Sequence, residues 1–315
     1  MSSSTAENLK SGKNAAILFG NFAQQHPQAA QLHAAAQATG IKVGFLGEAA
    51  NSVGGYLAGL PVGGGLPAVL RKKSLLLLGA EPRLDCGDPQ AAMASIEGAQ
   101  FVANLSAFKS DIGDVLLPIA PFTETSGTFV STEGRVQGFH GSVRPLGEAR
   151  PAWKVLRVLG TMLGLPGFEF ENVEEVRSAC LKGRDISALL SNGISELKAD
   201  SEPVQGIQRI ADVPIYFTDP LVRRSPPLQQ TRDAQKPKAW MNRNLFEKLG
   251  LASAGRVRIS QGKGEAVLDA ALDDKLPDNC VRVAAGHAAT AALGPMFGAV
   301  AVEKISVTEG EMRAA

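Results

Sequence analysis

Redox and metal chemistry need sulfur, imidazole or carboxylate groups at short spacing. The three cysteines, Cys86, Cys180 and Cys280, lie about a hundred residues apart and form no C-x-x-C pair. That spacing excludes a local zinc or iron–sulfur ligand cluster and leaves buried single thiols in a reducing compartment as the expectation. The four histidines are His26, His33, His140 and His287. His26 and His33 could share a helix face, but no carboxylate accompanies them, so they make a poor metal site and are expected at a surface or interface. No G-x-S-x-G elbow is present to serve a Ser, His and acid mechanism. Phosphate chemistry would need a glycine cradle. Gly54-Gly55, Gly59 and Gly63-Gly64-Gly65 form a glycine-rich patch, yet neither G-x-G-x-x-G nor G-x-x-x-x-G-K-[ST] occurs, and a mobile surface loop is expected there.

Charge is the next source of function. Residues 205–260 hold ten Lys or Arg against four Asp or Glu. Arg223, Arg224, Lys236 and Lys238 dominate, either as a solvated loop or as a docking surface for an acidic partner. Nucleic acid is disfavoured, because no aromatic residues are interleaved with the basic ones. Over the whole chain, 32 basic against 31 acidic residues give a formal charge of +1, so no global attraction to nucleic acid or an anionic membrane exists.

A series of strands and helices must position these residues. Residues 15–20 form a short apolar run ending in glycine, as in a buried parallel strand. A helix is predicted over 27–39 and a strand over 42–46. The run 74–79 reads as the clearest buried strand. Asp88-Pro89 opens a helix to residue 97, with Asp at the cap and Pro in the first turn. Strands over 101–105 and 114–119 complete an alternation that implies a mostly parallel, doubly wound sheet. Residues 121–147 form a long loop rich in Gly, Thr, Ser and Glu, of the kind that is functional or packed. Helices over 151–163 and 171–190 come next, then a polar linker over 191–205. The second half predicts a strand at 213–217, an extended loop at 219–237, a helix at 240–249, and a hairpin of 255–259 with 266–272 around Gly262-Lys263-Gly264. Strands at 280–284 and 297–305 complete a small β-rich domain. Domain bounds are placed at 1–13 (disordered tail), 14–200 (α/β), 201–230 (linker), 231–306 (β-rich) and 307–315 (tail). At 315 residues with 44% hydrophobic and 20% charged side chains, the chain is large enough for about two domains. No run nears the roughly 20 apolar residues that cross a bilayer, and the Ser-rich start lacks the apolar core of a secretory signal.

The long loop is the most specific stretch. Residues 117–137, LPIAPFTETSGTFVSTEGRVQ, resemble the L-P-x-x-x-F-x-E-x-x-G-T-x-x-N-x-E-G-R-x-Q signature of molybdopterin oxidoreductases, with Ser131 in the usual Asn position. Gly147 to Trp153 and the helix after them are similar to that family's A-x-x-D-W-x-I helix. Leu249-Gly250-Leu251 and Gly255-Arg256-Val257 resemble the start of its C-terminal β-barrel domain, with Arg256 replacing the usual Asp. The opening Ile17 to Gly20, Gly44 to Ser52, Leu78 to Arg83 and Arg282 to His287 resemble one branch, the large iron–sulfur subunit of bacterial NADH:quinone oxidoreductase (complex I). The resemblance spans roughly residues 14–305.

That resemblance implies a molybdopterin oxidoreductase-like α/β domain and, after it, a small barrel-like domain. It implies that Glu124, Gly127, Thr132, Glu133, Gly134, Arg135 and Gln137 form a vestigial pterin-loop motif, with Glu124, Glu133 and Arg135 in a packing role as a buried Glu–Arg clamp. The branch keeps the fold as a scaffold and carries its 2Fe-2S and 4Fe-4S clusters in an N-terminal region absent here, so the chain is expected to be a fragment or separately encoded remnant with no cofactor and no catalytic residue of its own. Its partners would be other peripheral-arm subunits of complex I. It would sit peripherally at the cytoplasmic side of the bacterial inner membrane, without inserting. The alternative is a fragment of an active molybdopterin-dependent oxidoreductase of formate dehydrogenase or nitrate reductase type, in which Thr132, Gly134, Arg135 and Gln137 touch the pterin dinucleotide. A stand-alone nucleotide-binding protein using the sheet's carboxyl edge is a third class.

Overall fold

The computed structural model describes residues 7–9, 11–60, 63–192, 205–251 and 255–305. Residues 1–6 and 10, most of the expected 191–205 linker and the 307–315 tail lie outside the described residues. Contacts divide the chain into two compact units. One comprises Met1–Val69, Leu76–Gly79 and Val102–Ser201; the other comprises Leu70–Leu75, Ala80–Phe101 and Glu202–Ala315.

In the first unit, β1 (Ala16–Phe19) and β2 (Lys42–Phe45) pair in parallel, with Phe19 opposite Phe45. Helices Asn21–Gln25 and Ala29–Gln37 form the crossover between them. Buried His33 lies against this pair, its ring 5.5 Å from Phe45 and stacked at 16°. Neither of its ring nitrogens has a hydrogen-bond partner. The structure thus moves His33 from the expected surface position into an aromatic core, because the helix turns it onto the sheet.

Strands β3 (Ser74–Leu78), β4 (Phe101–Ser106) and β5 (Val115–Pro118) come next, in that sheet order. β4 and β5 are parallel. Parallel pairing therefore occurs in two separate groups of strands rather than along one continuous described sheet. β3 is only half buried. Leu75 is covered, but Leu76 and Leu78 are 43% and 46% exposed. Successive side chains point to opposite faces, so an unbroken leucine run is a sign of two covered faces only when both faces have neighbours.

The helix Pro89–Glu97, part of the second unit, begins as the sequence dictates, with the Asp88 carboxylate accepting the Ala91 N–H at 3.0 Å. The glycine patch is not a bare loop: it contains helices Ser52–Leu57 and Gly65–Val69. The long 121–147 segment folds into a hairpin, β6 (Gly127–Val130) with β7 (Val136–Phe139), antiparallel. Helices Ala152–Met162, Val173–Leu181 and Ile186–Leu189 complete the unit.

The second unit holds a closed six-stranded barrel. Its strands are β8 (Ile207–Ile210), β9 (Ala239–Met241), β10 (Arg256–Gln261), β11 (Gly264–Leu272), β12 (Cys280–Arg282) and β13 (Gly298–Ile305), in the order β10-β11-β9-β12-β8-β13. Closure leaves no unpaired edge. Along β10 the pattern is strict alternation: Val257, Ile259 and Gln261 are buried, the residues between them are not. Ala266 and Leu268 of β11 and Val300 and Val302 of β13 complete the same core.

Three expected elements change. Residues 213–217 are not a strand: Ile215–Phe217 is a 3₁₀ turn, since Pro214 fixes φ and offers no N–H to a ladder. Residues 240–249 are a strand and then a helix, divided at Asn242, whose side chain accepts the Leu245 N–H at 2.9 Å and caps Arg243–Lys248. Residues 219–237, expected to be extended, contain two short proline-initiated helices, Pro220–Arg223 and Pro226–Gln229.

Candidate functional site

The signature residues of the long loop all lie on or beside the β6–β7 hairpin. Ser131 closes its turn: its carbonyl accepts the Gly134 N–H at 2.9 Å and its hydroxyl accepts the Arg135 N–H at 3.2 Å. Gly134 has φ +82°, which favours glycine. A Cβ there would also meet Leu190 and Ile186 at 2.8 and 3.0 Å. Gly127 faces the Phe139 ring, 2.6 Å from where a Cβ would stand. Glu124 is half-buried and its Oε2 accepts the Leu146 N–H at 3.1 Å. Thr132, Glu133, Arg135 and Gln137 are exposed. The expected buried Glu–Arg clamp is therefore absent: Glu133 and Arg135 both project from the turn into solvent, and no ion pair among the described residues joins them.

The family implies a pterin cofactor, and these residues do not fit one. Gly134 packs against Leu190 and Ile186 and Gly127 against Phe139, while Thr132, Glu133, Arg135 and Gln137 point to solvent and do not line the cleft beside the hairpin. The cleft beside the hairpin holds about 220 Å³, below the roughly 300–1,000 Å³ typical of sites for larger ligands. It is lined from four sides, by Asn51 and Gly54 of the glycine patch, by Ser126 to Val130, by Trp153 and by one stripe of the helix Val173–Leu181. Asn51 Oδ1 accepts the Val130 N–H at 2.8 Å and holds patch to hairpin. Gly54 must be glycine for this, as its Cβ would stand 2.1 Å from that oxygen.

The basic segment is placed differently from expectation. Arg223 is spent within the chain: its guanidinium pairs with Glu81 at 2.8 Å and Asp85 at 2.5 Å, with its side chain only 7% exposed. It also donates to the Phe217 carbonyl at 2.9 Å. Arg224 pairs with Glu81 as well. Lys236 is exposed and Lys238 half-buried, and neither has a carboxylate partner among the described residues. Sequence spacing could not reveal the arginine pairing, because the acids lie about 140 residues earlier. Burial acts to raise the Glu81 carboxyl, but hydrogen bonds and charge from Arg224 and Arg223 outweigh it, and it titrates below the usual glutamate range. Its stabilising share is thus present above the usual range and is lost as pH falls through the lowered native value. Glu81→Gln is expected to cost about 2 kcal/mol at neutral pH, since it breaks charge-assisted bonds to a buried guanidinium. In urea titrations the gap between variant and parent should close as the pH drops into the acid range.

The other reactive groups form no cluster among the described residues. Cys180 is exposed and Cys86 and Cys280 are half-buried, so the expected burial of all three thiols does not hold. Burial and the neighbouring Asp85 and Asp88 push the Cys86 thiol up. His26 Nδ1 accepts the Gln28 N–H at 3.0 Å, a local turn contact. His140 is exposed. His287 packs edge-on against Phe217, and burial with Lys236 nearby lowers its pKa. Among the described residues no three His, Cys, Asp or Glu side chains gather as a metal site, and no helix is long and apolar enough to cross a membrane.

Sequence reasoning missed Arg209. It stands in β8 inside the barrel, 2% exposed, with no acid beside it among the described residues. Its Nη1 donates to Gln261 Oε1 at 3.1 Å and to the carbonyls of Gly294 and Pro295 at 3.0 and 3.2 Å. Burial pushes its pKa down to about 10, which leaves it charged at neutral pH. One arginine in a short strand carries no signal that marks it as inward-facing.

Comparison with known proteins places this geometry. The chain is 29% identical over 210 residues to the NADH-ubiquinone oxidoreductase 78 kDa subunit of Neurospora crassa, covering 61% of this chain and 26% of that protein. It is 27% identical over 219 residues to an NADH-quinone oxidoreductase subunit of Mycobacterium bovis, covering 66% and 26%. A putative formate dehydrogenase of Staphylococcus aureus matches at 32% over 94 residues, 29% of this chain and 10% of that one. The chain thus spans about a quarter of the length of the two NADH oxidoreductase subunits. Acetylene hydratase from Pelobacter acetylenicus shares the fold, with a TM-score of 0.52 at 13% identity over 75% of this chain and 44% of that structure. The family model for molybdopterin oxidoreductases matches residues 1–162, more than half of the 315 residues, and the chain belongs to the molybdopterin oxidoreductase family.

Proposed function

We propose that this chain is a scaffold module of the large iron–sulfur subunit in the peripheral arm of NADH:quinone oxidoreductase. It supports electron transfer from NADH to quinone that runs through centres held elsewhere. The observation that carries this reading is the filling of the hairpin's glycine face by Leu190, Ile186 and Phe139, joined to the likeness to NADH oxidoreductase subunits. A signature kept in sequence but closed in space suits a part whose role is to be packed. On this reading the partners are other peripheral-arm subunits at the cytoplasmic face of the membrane, and Lys236 and Lys238 are the docking cations, since Arg223 and Arg224 are engaged internally. The two groups of parallel strands would then be remnants of one doubly wound sheet.

The second reading, a piece of an active molybdopterin-dependent enzyme, draws on the Staphylococcus aureus match. Metal analysis separates the two. The subunit purified in full length from its source is expected to contain iron and no stoichiometric molybdenum or tungsten, and to co-purify with NADH dehydrogenase activity. Molybdenum or tungsten at one equivalent would overturn the scaffold reading. Replacing the exposed Lys236 by Glu should weaken that co-purification and leave the fold intact, as surface substitutions typically cost within about 0.5 kcal/mol.

A further inference from the structure

The cleft beside the β6–β7 hairpin has the chemistry of a small-anion site. Helix Val173–Leu181 presents Val173, Val176, Arg177, Cys180 and Leu181 to it, spaced three and four apart on one face. Four of the five are weakly polar or apolar, and the fifth is a guanidinium. Arg177 Nη1 reaches β7, where it would stand 2.8 Å from a Cβ at Gly138. It has no carboxylate partner among the described residues. Ser126, Thr128 and Trp153 also line it, and the two hydroxyls and the indole N–H make no hydrogen bond to another described residue. No acidic residue lines the cleft. The wall is thus apolar in area, cationic in charge and rich in unused donors. An apolar pocket with a few convergent polar groups is the usual form of a small-molecule site, and a planar guanidinium matches a carboxylate in two-point contact.

We propose that this cleft binds a small monocarboxylate with a short hydrocarbon tail, the carboxylate on Arg177 and the tail against Val130, Val176 and Leu181. Size agrees with that class. At about 30 Å³ for each water displaced, 220 Å³ takes the place of roughly seven waters, room for an acid of about six heavy atoms. The site shares Ser126, Gly127, Thr128 and Val130 with the signature stretch but none of Thr132 to Gln137, and it does not depend on the assembly role proposed above.

Butyrate is the probe, with butyramide as its neutral isostere. Trp153 lines the cleft, so its fluorescence in the full chain reports occupancy, with Trp240→Phe removing the only other tryptophan. Butyrate is expected to change that emission saturably, and butyramide to bind at least about tenfold more weakly. Arg177→Gln should weaken butyrate by a similar factor while circular dichroism stays unchanged. Val176→Phe, which fills the cleft and keeps Arg177, should abolish the response. Equal binding of butyrate and butyramide, undiminished binding to Arg177→Gln, or no saturable response in the parent would overturn the proposal.

Discussion

Arg209→Met lowers the stability of the barrel by about 4 kcal/mol, the largest effect expected of a single side chain here. Methionine fills similar volume, so the loss is not one of packing. What disappears is the donor set. Three acceptors, Gln261 Oε1 and the carbonyls of Gly294 and Pro295, lie within 3.2 Å of one guanidinium nitrogen. Each buried acceptor left unmet costs about 1–3 kcal/mol, and water can reach only some of them. Arg209→Lys should recover part of this, since an ammonium can serve that cluster but not also the Val283 and Ala284 carbonyls at 3.4 Å. The measurement is urea unfolding followed by Trp240, which lies in β9 and so reports the barrel, in a Trp153→Phe background. With a slope of roughly 2 kcal/mol per molar urea, the midpoint should fall by about 2 M. A fall under about 0.5 M would show that the cluster is solvated or dispensable.

Gly264→Ala is the second large effect, at about 3 kcal/mol. A Cβ at this first residue of β11 would stand 1.8 Å from the Ala292 carbonyl oxygen and 3.0 Å from Gln90 Nε2. The obstacle is backbone, which cannot rotate away as a side chain can, so strand and loop must separate. Separation also strains the Gln90 side chain, which donates to the Gln261 and Ala292 carbonyls at 2.8 and 2.9 Å and accepts the Lys263 N–H at 3.1 Å. Gly294→Ala is the control. Its Cβ would meet nothing closer than 3.5 Å, and a change within about 1 kcal/mol is expected. If both variants unfold at the same urea concentration, close approach at Gly264 is not what sets the cost.

Local chemistry made part of this fold legible. Asp88-Pro89 announced the helix after it, and Gly262 at φ +60° sits in the turn of the expected β10–β11 hairpin. The expected strands 255–259 and 266–272 are both present, as β10 and β11. Where neighbours far along the chain decide, the same reasoning stopped. Whether the leucines of 74–78 are covered depends on what packs on each face. Whether Arg223 is a free cation depends on Glu81 and Asp85. His33 reads as a surface imidazole until Phe19 and Phe45 are placed beside it. Of the signature loop, residue order revealed the family, but exposure of Glu133 and Arg135 and the covering of Gly134 by Leu190 are tertiary facts.

The union of residues 80–101 with the barrel has a consequence for synthesis. Gln90 and Gln261 are 171 positions apart. At about 5–20 residues added per second, the helix Pro89–Glu97 leaves the ribosome roughly 10–30 s before its strand partners exist. A nine-residue helix is marginal alone in water, so until the barrel strands exist it has only nearby chain to pack on, such as the Leu70 carbonyl that accepts its Ser95 hydroxyl. Slowing translation beyond residue 101 would lengthen that interval.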